Sequence, residues 1–326
     1  MPANLTPEYE KAERRFREAR TDEEKLEWLQ EMLRVIPKHK GTDHMQADLK
    51  RRISQLRKAA AKKTAAKGVD LFHVPRSGAG QVVVVGMPNA GKSSLVAAVT
   101  NAPVKVAEYP YTTALPTPGM WEFEDVQIQL VDTPPLSPEA VPPGLIGTIR
   151  FGQLVLIVLD AAADPLEQLE GLLEVFESRD LHIRTVPLSQ RDPDDARQLC
   201  VLLAANKIDQ ADPATVDTLR ELYAGRFEVL PVSCATGEGL ERLGRRLWEL
   251  LDVIRVYTKE PGRPIDTDRP YTLPTGSTLE DLAREIHRDL PEKMKYARIW
   301  GPGRRDGQRI HRTEVLHDRD AVEIHQ

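Results

Sequence analysis

Cysteine is nearly absent: the 326 residues contain two. Cys200 leads an apolar run and Cys234 follows another, and neither has a second cysteine or a metal-type spacing nearby. A disulfide framework and a cysteine-held metal are therefore excluded, and both thiols are expected free and reduced. Long apolar runs are missing too; none approaches the roughly 20 residues that span a bilayer. The opening stretch MPANLTPEYEKAERR is charged and has no apolar centre, so it does not read as a secretory signal. These absences point to a cytoplasmic protein with no membrane partner. What is present fits a soluble globular chain of two or three domains: 40% hydrophobic and 29% charged residues, with length enough for a real core.

The net charge of −5 is unevenly spread. Residues 44–67 hold eight Lys or Arg and one Asp, a net +7, whereas residues 86–256 hold fourteen basic and twenty-five acidic residues, a net −11. One basic segment on an acidic body suggests a docking surface for a polyanion.

Three regions separate along the chain. Residues 1–67 read as helical. Thr6-Pro7 and the box Thr21 to Glu24 are helix starts, and Leu26, Leu29, Met32 and Leu33 share a face behind the second. Pro37 ends that helix. A third begins at Thr42 with the stripe Met45, Leu49, Ile53 and Leu56. Residues 68–80 read as a linker. Residues 81–254 alternate strand and helix signals: QVVVVG, VQIQLVD, LVLIVLD, CVLLAANK and FEVLPVS as strands, with amphipathic helices between them. Continuous apolar runs of this kind are central parallel strands, so the fold class is α/β and doubly wound. Residues 181–198 exceed that pattern and are expected as a hairpin or loop elaboration. Residues 255–326 change style. Short strands surround one helix, STLEDLAREIHRDL, capped at Ser277 or Thr278 and stopped at Pro291, in a small mixed α+β domain.

Chemistry concentrates in the middle region. GMPNAGKSS matches Gly-x-x-x-x-Gly-Lys-Ser at Gly86, Gly91, Lys92 and Ser93, after a strand and opening a helix, which is the context such a match requires. Glycines let backbone amides approach phosphate oxygens, the helix N-terminus adds positive potential, and the lysine reaches the β and γ phosphates. The nucleotide-contacting set runs through Pro88, Asn89, Ala90 and Ser94 as well, and Ser93 is a Mg²⁺ ligand. NKID at Asn206–Asp209 follows an apolar strand. Alone it reads as a helix cap; after the phosphate loop, Asp209 can accept both N1–H and the exocyclic amine of guanine, which adenine does not offer. Lys207 would pack over the base. SCA at Ser233, Cys234 and Ala235 would set an amide against the guanine O6.

The ordered set GMPNAGKSS, YPYTTALPTPG, DTPP, NKID and SCA resembles a Ras-like GTPase. Tyr-Pro-Tyr-Thr-Thr followed by Pro-x-x-Gly looks like the switch loop of the Obg and developmentally regulated GTP-binding (DRG) families. The tail RVYTKEPG…TGSTLEDLAREIH…KYARIWG…VLHDRDAVEIH is similar to the TGS domain, a β-grasp-like module, that ends the latter family. KGTDHMQADLKRRISQLRK resembles that family's N-terminal region, and the likeness runs from about residue 38 onward. It implies a GTPase switch that acts on a ribosome or RNA, with an accessory protein partner, GTP and GDP as ligands, Mg²⁺, and K⁺. Residue by residue, Thr113 (or Thr112, one position earlier) matches the switch threonine that completes Mg²⁺ coordination. Asp132 matches the carboxylate that holds Mg²⁺ through water. Asn89 matches a K⁺-binding asparagine, against a plain turn residue. Lys92, Thr113 and Asp132 form the expected catalytic set. The extra domain that larger members carry between DxxG and NKxD has no room here.

Two positions depart from the Ras-like pattern. Pro135 replaces the glycine of Asp-x-x-Gly, whose amide would donate to the γ-phosphate, and Leu136 stands where a water-orienting glutamine is usual. The first predicts slow hydrolysis. It also keeps open a module that holds nucleotide, and binds RNA or the ribosome, with little or no hydrolysis. For polyanion contact the candidates are Lys50, Arg51, Arg52, Arg57, Lys58, Lys62, Lys63 and Lys67, and in the tail Arg304, Arg305, Arg309 and Arg312. No aromatic residues interleave with these cations, so phosphate contact rather than base stacking is expected.

Overall fold

A computed structural model describes residues 71–100, 115–192, 194, 195 and 197–326, together with Arg15, Trp28, Met32 and Val35. The chain divides into two compact units, residues 1–70 and 71–326. In the first, the four described residues are helical; Met32, expected on an apolar helix face, is buried, and Arg15 lies over the Trp28 ring. The basic segment 44–67 lies outside the described residues, as do Thr112 and Thr113.

The second unit opens with the phosphate-loop sheet. Strand β1, Gly80–Val85, is buried at all six positions. It pairs in parallel with β3, Val126–Asp132, on one side and β4, Leu154–Asp160, on the other. The next strand, β6, Gln198–Asn206, runs parallel to β4. Side chains alternate across a strand, so Val82 and Val84 enter one core with helices α1 (Lys92–Val99) and α5 (Leu240–Leu251), while Val83 and Val85 enter the other. That second core is closed by α2 (Leu145–Phe151), α3 (Pro165–Ser178) and α4 (Pro213–Leu222). Asp164 and Asp212 cap α3 and α4 by accepting from Glu167 and Ala214 amides, each with proline at the first helical position.

Residues 181–198 do not form a hairpin. Strand β5, His182–Arg184, lies parallel to Gln198–Cys200 of β6, and a 3₁₀ turn follows at Leu188–Gln190. Strand β7, Val229–Pro231, takes the same edge of β6 further along, at Leu203–Ala205. On the opposite edge β2, Thr117–Phe123, pairs antiparallel to β3. Residues 71–80 are fastened to this domain rather than free: Arg76 donates to Phe151 O, Thr148 Oγ1 to Phe72 O, Gln81 to Val74 O and Gln129 to Pro75 O.

The C-terminal sheet has the order β11-β10-β12-β8-β9. Its strands are β8 Val253–Lys259, β9 Ile265–Pro274, β10 Tyr296–Trp300, β11 Gln308–Ile310 and β12 Asp320–His325. The first and last, β8 and β12, are adjacent and parallel, and the other pairings are antiparallel. Helix α6, Leu279–Ile286, crosses one face, which is the β-grasp arrangement expected. Thr278 caps it in a complete capping box with Asp281. The helix stops at Ile286, before Pro291; that proline instead sits in the first turn of the short α7, Leu290–Lys293.

Candidate functional site

The carboxyl ends of β1, β3, β4, β6 and β7 face one crevice, where ligands of open α/β sheets bind. The loop after β1 arrives by a route only glycine permits. A Cβ on Gly86 would stand 2.5 Å from Val158 O, and one on Gly91 2.2 Å from Asn206 Nδ2. Gly91 also has φ 95°, in the left-handed region. It precedes α1 with no side-chain cap, so the amides of the first turn are not claimed by a side chain. Lys92 is 6% exposed, and its Nζ donates to Gly86 O (3.0 Å) and Met87 O (2.9 Å), curling back over the loop. Burial pulls its pKa down to about 8, against the partial support of Asp132.

Ser93 Oγ donates to Asp132 Oδ2 at 2.6 Å. Asp132 ends β3 and is almost wholly enclosed; burial raises its carboxyl above the usual range despite the Ser93 bond and the nearby Lys92. Its second oxygen, Oδ1, is buried with no hydrogen-bond partner, the one such side-chain atom among the described residues. An orphaned carboxylate oxygen is expensive. Beside a serine hydroxyl, an amine and an uncapped helix start, it fits a hydrated divalent cation with phosphates. No group of three His, Cys, Asp or Glu side chains that could hold a metal exists among the described residues.

The base-reading side is tied to the same loop by one residue. Asn206 Nδ2 donates to Ala90 O (3.1 Å) and its Oδ1 accepts from Cys234 N (3.2 Å), so one buried amide spaces all three loops. Lys207, at φ 65°, donates from Nζ to Asn89 O at 2.9 Å and pairs with Asp160 at the end of β4. Asp209 is exposed, and its Oδ1 accepts from Ser233 Oγ at 2.6 Å. That bond is the main reason its carboxyl lies below the usual range, ionised at neutral pH. Asn89 is exposed at φ 63°, a turn geometry compatible with either reading of it. Pro88, Ser94 and Cys234 are half-buried and Ala235 is exposed. Burial pushes the Cys234 thiol up to about 11. Every proposed nucleotide residue thus lies around one crevice, save Thr113, which is outside the described residues.

Asp160 was not anticipated, although its signal was available. It closes LVLIVLD as Asp132 closes VQIQLVD, a carboxylate at the end of a buried parallel strand. The loop after Asp132 is tightly held. Leu136 N–H donates to Gly86 O at 3.1 Å and the Leu136 side chain is fully buried in the second core. Ser137 and Ala140 exchange both backbone hydrogen bonds. Of the tail arginines, Arg304 is not a free cation: it pairs with Glu314 and with Asp320, which is 0% exposed, and donates to Val315 O.

Residues 81–186 match the family model described as 50S ribosome-binding GTPase, and residues 254–326 match the TGS domain. GTP-binding protein 1 of Schizosaccharomyces pombe is 30% identical over 89% of this chain and 96% of its own length. Developmentally-regulated G-protein 1 of Arabidopsis thaliana is 27% identical over 92% of this chain and 90% of its own. An uncharacterized GTP-binding protein of Halobacterium salinarum is 27% identical over 93% of this chain and 98% of its own. That last alignment runs over 366 positions, more than the 326 residues here, so the relative carries segments opposite gaps in this chain. The chain belongs to the developmentally regulated GTP-binding protein family, as a Ras-like P-loop GTP-binding domain joined to a C-terminal TGS domain.

Proposed function

We propose that the protein is a slow GTP-hydrolysing switch that uses Mg²⁺ and acts on RNA or the ribosome. The observation that carries the hydrolytic half is the unpartnered, buried Oδ1 of Asp132 beside Ser93 and Lys92. Ser93 and Thr113 would ligate Mg²⁺ directly, Asp132 through water, and Asn89 is the position for K⁺. Mg²⁺, when bound, neutralises charge on the β and γ phosphates. Lys92 already faces the loop that would cradle those phosphates, and its charge, costly to bury alone, is stabilised once phosphate oxygens stand beside it. The loop amides and the start of α1 hold the phosphate chain in line. Asp209, fixed by Ser233, selects guanine, and Asn206 keeps the base and phosphate loops at a constant separation.

Water positioning cannot come from Leu136, whose side chain is packed into the core and whose amide is already bonded to Gly86 O. Pro135 has no amide to give. Both facts support low turnover, and Pro135 is what favours the second reading, a nucleotide-holding module with scarcely any hydrolysis. Phosphate release under single-turnover conditions, with Mg²⁺ against EDTA and KCl against NaCl, tests the proposal. Mg²⁺-dependent release, lost in Lys92→Ala, is expected. Tight GDP binding with no release in any salt would leave only the holding module.

A further inference from the structure

Strands β4 and β6 end level with each other. Their parallel register sets Asp160 opposite Asn206, and Ala161 N–H donates to Asn206 O at 2.8 Å, which ties the two strand ends together. The next residue is Lys207, so register alone brings the carboxylate that closes β4 to the lysine of NKID. Lys207 has a left-handed backbone, φ 65°, an uncommon conformation for a residue with a side chain. Its Nζ donates to Asn89 O at 2.9 Å and to Asp160 Oδ2. The Lys207 side chain is 30% exposed and that of Asp160 15%, so the pair is screened less than one on an open surface.

Asp160 is itself held in place. Its Oδ1 accepts from Ala162 N–H at 3.0 Å, which leaves Oδ2 for the lysine. Gln168, in the first turn of α3, clasps the Asp160 backbone. Its Oε1 accepts from Asp160 N–H at 2.9 Å, and its Nε2 donates to Asp160 O at 3.2 Å and to Asp164 O at 3.1 Å. Asp164 is the cap of α3. Contacts therefore run from α3 through Gln168 and Asp160 to Lys207 and the phosphate loop. A lysine is a point charge on a flexible four-carbon stem with three rotatable donors. One carbonyl would leave its ammonium free to turn to water, whereas a fixed carboxylate adds a charge-assisted bond and selects one conformation. The Asp160 side chain bonds to Ala162 and Lys207, and not to Lys92, Ser93 or Asp132.

We propose that Asp160 is a positioning residue of the nucleotide site: clasped by Gln168, it fixes the Lys207 ammonium on the phosphate loop so that the lysine stem lies over the base, and it thereby sets how long guanine nucleotide stays bound. Asp160 acts through Lys207 and touches no nucleotide atom itself. A stem ordered before the ligand arrives loses less freedom on binding, and a cover that stays in place slows release. The inference rests on the reading of Lys207 as the residue that packs over the base. It gives the two strand-end aspartates different work: Asp132 serves the phosphates and Mg²⁺, and Asp160 serves the base.

The test is release of a fluorescent GDP analogue from the full chain, chased with excess GDP, so its outcome is independent of the hydrolysis rate. Asp160→Asn keeps the shape and removes the charge; it should speed release roughly tenfold, the size expected when a charge-assisted bond is lost. Lys207→Met keeps the stem and removes the ammonium, and should speed release to a similar degree. Adding Asp160→Asn to Lys207→Met should then change release little. Equal acceleration by Asp160→Asn in both backgrounds would overturn the inference, because the aspartate would then act on the loops and not through the lysine. If Lys207→Met leaves release unchanged, the reading of Lys207 fails and this inference with it. If Lys207→Met speeds release and Asp160→Asn does not, only this inference is overturned. The ratio of GDP to IDP affinity should keep its wild-type value in Asp160→Asn, since Asp209 reads the amine that IDP lacks; a changed ratio would place the effect on Asp209 and overturn the inference equally. Thermal unfolding shows that each variant is folded. Gln168→Met, which leaves the carboxylate in place, carries the same comparison in both backgrounds if Asp160→Asn does not fold.

Discussion

Asp209 is exposed at the crevice mouth, ionised, and oriented by hydrogen bonds from Ser233 and Gln210. A carboxylate held this way accepts from two N–H groups of guanine and repels the acceptor edge that adenine offers, so GDP and GTP should outcompete ATP by several orders of magnitude. Asp209→Asn turns half of that edge into a donor. It should lower guanine affinity and favour xanthine nucleotides, as a competition titration with GDP, XDP and ADP would read. Equal affinities for ATP and GTP in the wild type would refute the base assignment. The placement of these residues was legible in sequence because each motif follows a buried strand: Lys92, Asp132 and Asp209 all arrive from apolar runs. The roles of Leu136 and Arg304 were not, because burial and pairing are tertiary facts. Leu136 looks like a departure in a catalytic position but is a core residue, and Arg304 looks like a free cation but neutralises an enclosed aspartate.

Among the elements, β1, β4 and β6 were plain because both faces of each are buried, which leaves long apolar runs. Strand β2 escaped notice for a physical reason. Its sequence, TPGMWEF, contains Pro118 and Gly119, which suit only an edge strand, and it alternates exposed and buried positions. Helix α2 is seven residues long with a glycine inside and prolines before it, too short to show a period. The basic segment 44–67 is the element whose function depends least on the fold, since its net +7 is a property of the chain. Replacing Arg51, Arg52, Arg57 and Lys58 by Glu should weaken ribosome co-sedimentation at low salt most of all, and wild-type binding should fall steeply as salt rises, because phosphate contacts release counterions. Unchanged co-sedimentation in that variant would make the segment a solvated face.

At the scale of the whole second unit, the G and TGS domains are joined by a buried cation. Arg255 of β8 is 4% exposed, lies over Trp248 at 4.7 Å, and pairs with Asp318 of its own domain and with Glu124 and Asp125 of the β2–β3 turn. Tyr257 donates to the same Asp125, and Arg319 pairs with Glu124. Glu124 has φ 53°, a left-handed conformation that costs a non-glycine residue about 1 kcal/mol or more, and these cations hold it there. Breaking a fully buried pair costs about 3–5 kcal/mol; the carboxylates here are partly exposed, so Arg255→Met should cost about 2–3 kcal/mol. The urea midpoint for the TGS unit should fall accordingly, with guanine nucleotide affinity retained. An unchanged midpoint would mean the two domains do not stabilise one another through this residue.

The turn that Arg255 holds lies at one end of β3, and Asp132 and the proline-rich loop lie at the other. The slow hydrolysis proposed above would originate in that loop, where Pro135 offers no amide donor to the γ-phosphate. A hydrogen bond to a charged group is worth roughly 1.5–3 kcal/mol, so the missing donor corresponds to about 10- to 100-fold in rate. Restoring it as Pro135→Gly adds backbone freedom worth only about 1 kcal/mol in opposition. The deciding measurement is the single-turnover rate of GTP hydrolysis in KCl for the wild type and Pro135→Gly. The account predicts slow but measurable turnover in the first and a rise of severalfold or more in the second, with GDP affinity barely changed. An equal or lower rate in the glycine variant would contradict it, because the γ-phosphate would then be read by a route that does not pass through this position.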